Sequence, residues 1–436
     1  MLGLVTLVLA LATQIGFLIY RLVTQQRQTR LQHLLRIGAF AAFSILLVAG
    51  VYWWGFRWVG LFALLAIMAA ISAVSMIRSH QNKVEKPFKS LSAVLSAVGG
   101  CLLLVACILP GILFPQFQPI QPTGSYEVST QSITYVDDSR VDPFSTKGES
   151  RKLTVQFWYP ADAKADESFP LVVFSHGSFG YRGSNRSTFE NLASNGYVVC
   201  SVDHSSHSFF AKHTDGTTTF VDTSFLNDVL MATNDELDAQ TTYQKSREWL
   251  GLRCDDMNFI LDEVLQNEGS KIPQSLYSLL DTSKVGLFGH SLGGATAAQL
   301  GRERTDVDAV IVIDGTMLGE EVGFEDGRPV LNQQAYPVPL LNLYNESHSA
   351  DAQQLGTAYD NLSASAKAEE AYDVMVKGSG HLNFTDLPLF SPALAHLLGT
   401  GSVDSRTCIE TMNQITLDFF NHTLKGVANL HLKPVY

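Results

Sequence analysis

The chain has 436 residues, 46% of them hydrophobic, with 30 Lys and Arg against 42 Asp and Glu, a net charge of −12. That length allows more than one domain. The acidic balance, with no basic patch and no phosphate-binding glycine loop, argues against nucleic-acid partners and a nucleotide cofactor.

The charge is unevenly spread. Residues 1–114 hold nine bases (Arg21, Arg27, Arg30, Arg36, Arg57, Arg78, Lys83, Lys86 and Lys89) and one acid, Glu85, a net +8. Residues 115–436 are left with 21 bases and 41 acids, a net −20. Two regions of opposite charge and different hydropathy imply two solvents.

Four apolar segments run through the first region, at about 2–20, 37–54, 58–77 and 91–114. Each approaches the ~20 residues that cross a bilayer core, and none contains an acid or base. The first lacks the basic start and small-residue cleavage site of a signal peptide. Segment 21–36 carries four arginines, and segment 78–90 carries Arg78, Lys83, Lys86 and Lys89. The turn 55–57 carries only Arg57. Basic loops stay in the cytoplasm, so both chain ends and the acidic region are expected outside, at the exterior or in the periplasm.

Residues 115–130 read as a linker, with the turn-rich Ile120-Gln-Pro-Thr-Gly124 inside it. From 131 onward, strand patterns at Leu153–Tyr159, Leu171–Phe174, Tyr197–Val202, Val285–Phe288, Ala309–Ile313, Val338–Tyr344 and Tyr372–Val376 are interspersed with helix patterns at Asn185–Asn195, Asp255–Gln266 and Ala295–Arg304. Apolar strands and helices in alternation predict a mostly parallel sheet flanked by helices, an α/β class, over 131–436. Residues 205–245 interrupt the alternation and are either a cap over a site or a surface loop. Cys200, Cys254 and Cys408 allow at most one disulfide, and nothing reads as metal ligation.

The chemistry centres on Gly289-His-Ser-Leu-Gly-Gly294, which follows the apolar run Val285–Phe288 and precedes a helix pattern. That is the context of a nucleophile elbow, which presents Ser291 above the sheet. A serine nucleophile needs a base and an acid that orients it, in the chain order Ser, Asp/Glu, His. Asp314 closes the strand Ala309–Ile313 and points to the carboxyl edge of the sheet, where such folds bind ligands. Glu346, past the next strand, is the alternative acid. His381 follows the last strand through Lys377-Gly-Ser-Gly380 and is the expected base. His348 is its competitor, since His396 and His422 fall in helix patterns and His431 in the tail. The oxyanion needs two backbone donors. Leu292 supplies one, and Ser178, in the loop Ser175-His-Gly-Ser-Phe-Gly180, supplies the other. His204-Ser-Ser-His207 lacks a third metal ligand and reads as a site wall or cap. Arg253-Cys-Asp-Asp256 reads as a helix start.

Leu171-Val-Val-Phe-Ser-His-Gly177, Val198-Val-Cys-Ser-Val-Asp-His204, Gly289-His-Ser-Leu-Gly-Gly-Ala-Thr296, Ile313-Asp-Gly-Thr316 and Gly378-Ser-Gly-His-Leu-Asn-Phe384 resemble the platelet-activating-factor acetylhydrolase family over roughly residues 130–425. The resemblance implies an α/β-hydrolase fold and calcium-independent cleavage of short or oxidised acyl chains from phospholipids. It favours Asp314 over Glu346. The chain departs from animal members at Ser178 and Leu292, where they carry a larger apolar residue and Phe. The expectation is a membrane-anchored, outward-facing serine esterase without cofactor or metal, acting on a lipid or small ester and held in the bilayer by residues 1–114. The alternatives are a soluble short-chain ester or acyl transfer as the chemistry, or a non-catalytic receptor on a hydrolase scaffold.

Overall fold

The computed structural model describes residues 2–79, 87–266, 271–427 and 429–436. They form two compact units. One is the chain up to Gln118 with Leu389–Leu394, the other Pro119–Pro388 with Ala395–Tyr436.

The first unit contains helices α1 (Leu2–Thr24), α2 (Thr29–Val48), α3 (Phe56–Ser79) and α4 (Ser90–Leu113). All four are long and apolar enough to cross a membrane. α1 packs on α4, α2 on α3, and α3 on α4. The α1–α4 approach depends on glycine: a Cβ on Gly3 would lie 2.5 Å from the Gly111 carbonyl oxygen. Phe43, Tyr52, Trp58, Leu61 and Ile108 form the inner cluster. Val8, Leu9, Leu102 and many other apolar side chains stay exposed, the inverse of a helix that buries its apolar stripe in a soluble core. The second helix is displaced from the expected 37–54. It starts at Thr29 and takes in Arg30 and Arg36, and the chain turns at Gly50 with φ 73°. Arg21 lies in the last turn of α1, so only Arg27 remains in the intervening turn. In the second basic loop, Lys83 and Lys86, with Glu85, lie outside the described residues.

The second unit is built on one eight-stranded sheet. Its strands are β1 (Val128–Val141), β2 (Ser150–Pro160), β3 (Phe169–Ser175), β4 (Val198–Asp203), β5 (Leu280–His290), β6 (Ala309–Ile313), β7 (Leu340–Tyr344) and β8 (Ala371–Met375). The spatial order is β1-β2-β4-β3-β5-β6-β7-β8. β2 pairs antiparallel with β1 and β4, and β4 through β8 run parallel. Every residue of β3, β4, β6 and β7 is buried, because helices cover both faces.

On one face, α6 (Ala239–Leu265) and α7 (Leu292–Glu303) place Met257, Ile260, Ala295 and Ala298 against Leu171, Val173, Leu287 and Val312. On the other, α5 (Arg186–Ser194) and α8 (Ser405–Lys425) bring Phe189 to 4.9 Å from Phe174 and Phe420 to 5.8 Å from Phe288, ring centre to ring centre. This is the α/β-hydrolase arrangement. Its parallel strands end together, which collects Ser175, His290, Ile313 and Tyr344 along one edge.

Local details add to or change the expectations. Within the stretch read as a linker, Thr123 N–H donates to Asn191 (2.9 Å) and Tyr126 N–H to the Ser194 carbonyl (3.0 Å) at the end of α5. Helix α6 starts sixteen residues before Asp255, at Ala239, where Asp238 caps it by accepting from Thr241 N–H. Arg253–Asp256 is therefore mid-helix. Its first half is too polar to display a helical stripe in the sequence. Segment 205–245 forms a small hairpin (Phe210–Lys212 with Thr218–Phe220) and the helix Thr223–Thr233.

Candidate functional site

Ser291 sits between β5 and α7 with φ 56° and ψ −127°, a conformation costly for a residue with a Cβ. Its neighbours enforce it. Ser291 N–H donates to the Ile313 carbonyl on β6 (2.8 Å), and Gly294 N–H donates to the Ser291 carbonyl (2.8 Å). A Cβ on Gly293 would lie 1.9 Å from the Ser175 carbonyl oxygen, and one on Gly289 would lie 2.1 Å from the Gly293 carbonyl oxygen. Helix and strand approach so closely here that only hydrogen fits.

Asp314 follows β6 directly, is buried, and accepts four hydrogen bonds. On Oδ2 the donors are His381 Nδ1–H (2.6 Å) and Asn345 Nδ2–H (2.6 Å). On Oδ1 they are His348 Nδ1–H (2.9 Å) and Asn345 N–H (2.8 Å). Burial works to raise this carboxyl's pKa, but the bonds from His348 and His381 outweigh it and hold the group well below the usual carboxylate range. With Nδ1 of His381 committed to Asp314, Nε2 is the nitrogen left for the serine. Both residues expected to flank Ser291 in function thus meet each other. The competitor histidine is there as well, on the other oxygen of the same carboxylate. Glu346 is elsewhere: exposed, it accepts from Gly378 N–H (2.9 Å) and steadies the loop leading to His381.

The loop after β3 lies against the elbow. A Cβ on Gly177 would stand 3.1 Å from Ser291 Cβ. Phe179 N–H is committed to the His207 carbonyl (3.2 Å) and Gly180 N–H to the Gly177 carbonyl (3.1 Å). Ser178 lines the cleft, as does Leu292, whose N–H begins α7, where helix amides lack an intrahelical acceptor. Arg253, buried in α6, anchors the loop by donating to the His176 carbonyl and the Gly177 carbonyl (3.3 Å). Burial pushes its pKa down to about 9. His204 and His207 are buried beneath this loop, not at the site wall. His204 bridges Ser175 (2.9 Å) and Asp256 (3.1 Å), which also binds Arg151, and His207 stacks on Phe225. No group of three metal-ligating side chains occurs among the described residues. Cys200, Cys254 and Cys408 are buried free thiols.

Ser291, Asp314, His381, Ser178 and Leu292 share one cleft of about 510 Å³ with Ser246, Trp249, Thr316, Leu318, Asn345, Ser347, His348, Asp351 and Tyr359. No residue of 205–245 lines it. The nearest wall comes from Ser246 and Trp249 of α6. Sequence reading passed over His290, whose ring lies 4.5 Å from that of His381 and whose Nε2–H donates to the His381 carbonyl (3.1 Å). Burial first, then the neighbouring His381, push the His290 pKa down to about 3. It therefore supports His381 as a neutral ring. Asn345 was also missed, although an Asn after a strand and before a helix is a recognisable cap signal. A strained serine, an imidazole held on a buried carboxylate and backbone N–H groups lining the same cleft are together what acyl transfer requires.

Comparison with known proteins adds an independent view. The family described as Platelet-activating factor acetylhydrolase, isoform II matches residues 149–430. The chain is 26% identical over 283 residues to the platelet-activating factor acetylhydrolase of Cavia porcellus, covering 60% of this chain and 59% of that protein. It is 24% identical over 277 residues to the Canis lupus familiaris protein of the same name, covering 60% and 58%. A protein of Arthroderma benhamiae described as a probable 1-alkyl-2-acetylglycerophosphocholine esterase is 22% identical over 284 residues, covering 62% and 64%. The chain thus spans about 60% of the length of these curated relatives. Among solved structures, a ferulic acid esterase from Streptomyces cinnamoneus superposes with a TM-score of 0.54 at 22% identity, covering 71% of this chain and 93% of that one, a likeness of fold.

Proposed function

The chain belongs to the platelet-activating factor acetylhydrolase isoform II family, and on that premise we propose that it is a serine esterase working from the cleft at Ser291. The Ser291 hydroxyl gives its proton to His381 Nε2 as Oγ bonds to the ester carbonyl carbon. The carbonyl oxygen becomes an oxyanion held by the N–H groups of Ser178 and Leu292. The carbon–alkoxy bond then breaks, and His381 returns the proton to the leaving alcohol. Water repeats the cycle on the acyl-enzyme. Asp314 orients the imidazole and stabilises its protonated form.

One observation carries the reading: the strained serine opens onto the same cleft as a histidine whose Nδ1 is 2.6 Å from a buried carboxylate. The test is labelling of the full-length protein by a fluorophosphonate. Labelling should occur in wild type and vanish in Ser291→Ala. A wild type that does not label would leave a scaffold without catalysis.

For the substrate we propose a short or oxidised acyl chain on a phospholipid, met by an enzyme that α1–α4 anchor in the cell membrane with the hydrolase unit at the exterior or in the periplasm. The names of the relatives, the four apolar helices and the basic residues in sequence around the α1–α2 and α3–α4 connections support this. The polar lining at Ser246, Thr316, Ser347 and Asp351 favours a compact acyl group and supports a second reading, a short-chain carboxylesterase or acyltransferase on a soluble ester. An acyl-length series of p-nitrophenyl esters beside phospholipids divides the two. Protease accessibility in intact cells tests the orientation.

A further inference from the structure

Among the described residues that line the cleft, His348 has both ring nitrogens engaged. Nδ1 faces Asp314 Oδ1 at 2.9 Å, and Nε2 faces the Tyr359 hydroxyl in a short hydrogen bond. The Tyr359 oxygen is in turn 3.1 Å from Thr316 Oγ1. Asn345 fixes His348 in space. It caps the helix Glu346–Leu355 by accepting from His348 N–H (2.9 Å), while its own amide donates to Asp314. Around the ring stand Asp314, Tyr359 and the edge of Tyr344, with ring centres 5.1 Å apart. His381 and, behind it, His290 lie across the carboxylate. Asp351 shares the cleft, and the charges of Asp360 and Glu321 act on Tyr359.

An ionised carboxylate only accepts, so Nδ1 of His348 must carry a proton. The protonation of Nε2 then decides the charge of the ring. Burial keeps Tyr359 a phenol by pushing its pKa upward, so its O–H is available to donate. If Thr316 donates to Tyr359 and Tyr359 donates to Nε2, His348 is neutral. If the chain of donors reverses, His348 is a cation on the carboxylate that His381 needs when it takes the serine proton. Two imidazolium rings would then compete for one Asp314.

We propose that His348 is a positioning residue for the esterase reaction: as a neutral ring whose Nε2 accepts the hydrogen bond of the Tyr359 O–H, it clamps one oxygen of Asp314 so that the other faces His381 with its charge undivided. The inference rests on the serine-esterase reading. It assigns a role to the Thr316–Tyr359–His348 chain, which attack on the ester does not itself require.

The test measures kcat, KM and the pH dependence of kcat/KM for the full-length protein and three variants. His348→Leu removes the clamp. Its kcat should fall about 10- to 100-fold with KM little changed, the scale of a supporting partner lost behind a reacting group. Its acid limb should move to higher pH, because a carboxylate with one donor fewer holds the His381 proton more strongly. His348→Gln keeps a donor without a titrating ring and should recover most of the kcat and the wild-type limb. Tyr359→Phe removes the O–H that donates to Nε2 and should lower kcat with KM little changed. A KM that rises in His348→Leu with an unshifted pH profile would make His348 a substrate contact and overturn the clamp. So would a wild-type kcat in Tyr359→Phe together with no recovery of kcat by glutamine in His348→Gln. If His348→Leu does not fold, those two variants decide. Fluorophosphonate labelling separates the failures: no label in wild type ends the esterase reading itself, whereas a labelled wild type with unmoved variants ends only this proposal.

Discussion

Gly293→Ala tests whether the elbow at Ser291 depends on backbone contact or merely tolerates glycine. The added Cβ would lie 1.9 Å from the Ser175 carbonyl oxygen, 2.4 Å from its carbon and 2.7 Å from the His176 carbonyl oxygen. Cβ atoms essentially never come closer than 3.0 Å to a neighbour, so α7 and β3 must separate by about 1 Å. The atoms in the way are backbone of a fully buried strand and its following loop, so no rotamer change relieves the clash. Separation also strains the bond from Ser291 N–H to Ile313 and moves the serine away from Gly177. Overpacking against movable side chains costs about 1–3 kcal/mol, and the fixed backbone puts Gly293→Ala at or above the top of that range. A displacement near 1 Å lowers the labelling rate by about two orders of magnitude. Gly294→Ala is the control, since its Cβ meets the Val312 methyl at 2.9 Å and Gly289 oxygen at 3.0 Å. It should lose about 1–2 kcal/mol. The assay pairs urea unfolding with the fluorophosphonate rate measured well below the melting temperature. Equal losses in the two variants, or a wild-type labelling rate in Gly293→Ala, would refute the steric argument.

Asp314→Asn keeps the shape but loses the acceptor that selects the His381 tautomer. Turnover of a p-nitrophenyl ester should fall by about four orders of magnitude, and a fall below tenfold would remove Asp314 from the mechanism. His290 has its folded pKa pushed down to about 3, so the unfolded chain binds its proton first, near 6.5. That contribution to stability is complete above pH 6.5 and is lost as pH falls from there toward 3, at about 1.4 kcal/mol per unit at most. His290→Asn should flatten the acid side of a stability–pH curve, and an unchanged slope would contradict it. Asp360 is the opposite case. Burial raises its carboxyl to about 8, and one of its oxygens is buried without a partner. Its contribution is present below the unfolded value near 3.9 and is lost as pH rises through 8. Asp360→Asn should therefore be neutral or stabilising in urea melts at pH 7.5 and nearly silent at pH 4. Destabilisation at pH 7.5 would show that the carboxyl is charged and paired.

What was legible in the sequence follows from how local each feature is. The elbow is a short stretch whose strand, turn and helix signals are all adjacent, so Ser291 could be placed from residues 285–300 alone. Asp314 and His381 could be placed because parallel strands end on one edge, so a residue just past an apolar run has a known address. The four apolar segments needed only hydropathy, although the α2 boundary moved: the arginines at 30 and 36 read as loop charges, yet they sit on the helix. What was misread or left open concerns polar residues whose partners are distant in the chain. Arg253 looks like a helix start until its carbonyl acceptors, 76 and 77 positions away, are known. His348 looks like a rival base because only the fold reveals that Asp314 has a second oxygen facing it, 34 positions back. The early half of α6 escaped notice because its polar side chains carry no periodic apolar signal, and it supplies Ser246 and Trp249 to the cleft wall. Patterning in the chain thus locates the residues proposed to react, since they sit at strand ends. The groups that hold those residues in place come from elsewhere in the chain, and their roles appear only when buried hydrogen bonds are followed donor by donor. The Thr316–Tyr359–His348 chain emerged in that way. It also locates the sensitivity of the site, because a carboxylate with four donors has no spare acceptor to yield when one donor changes charge.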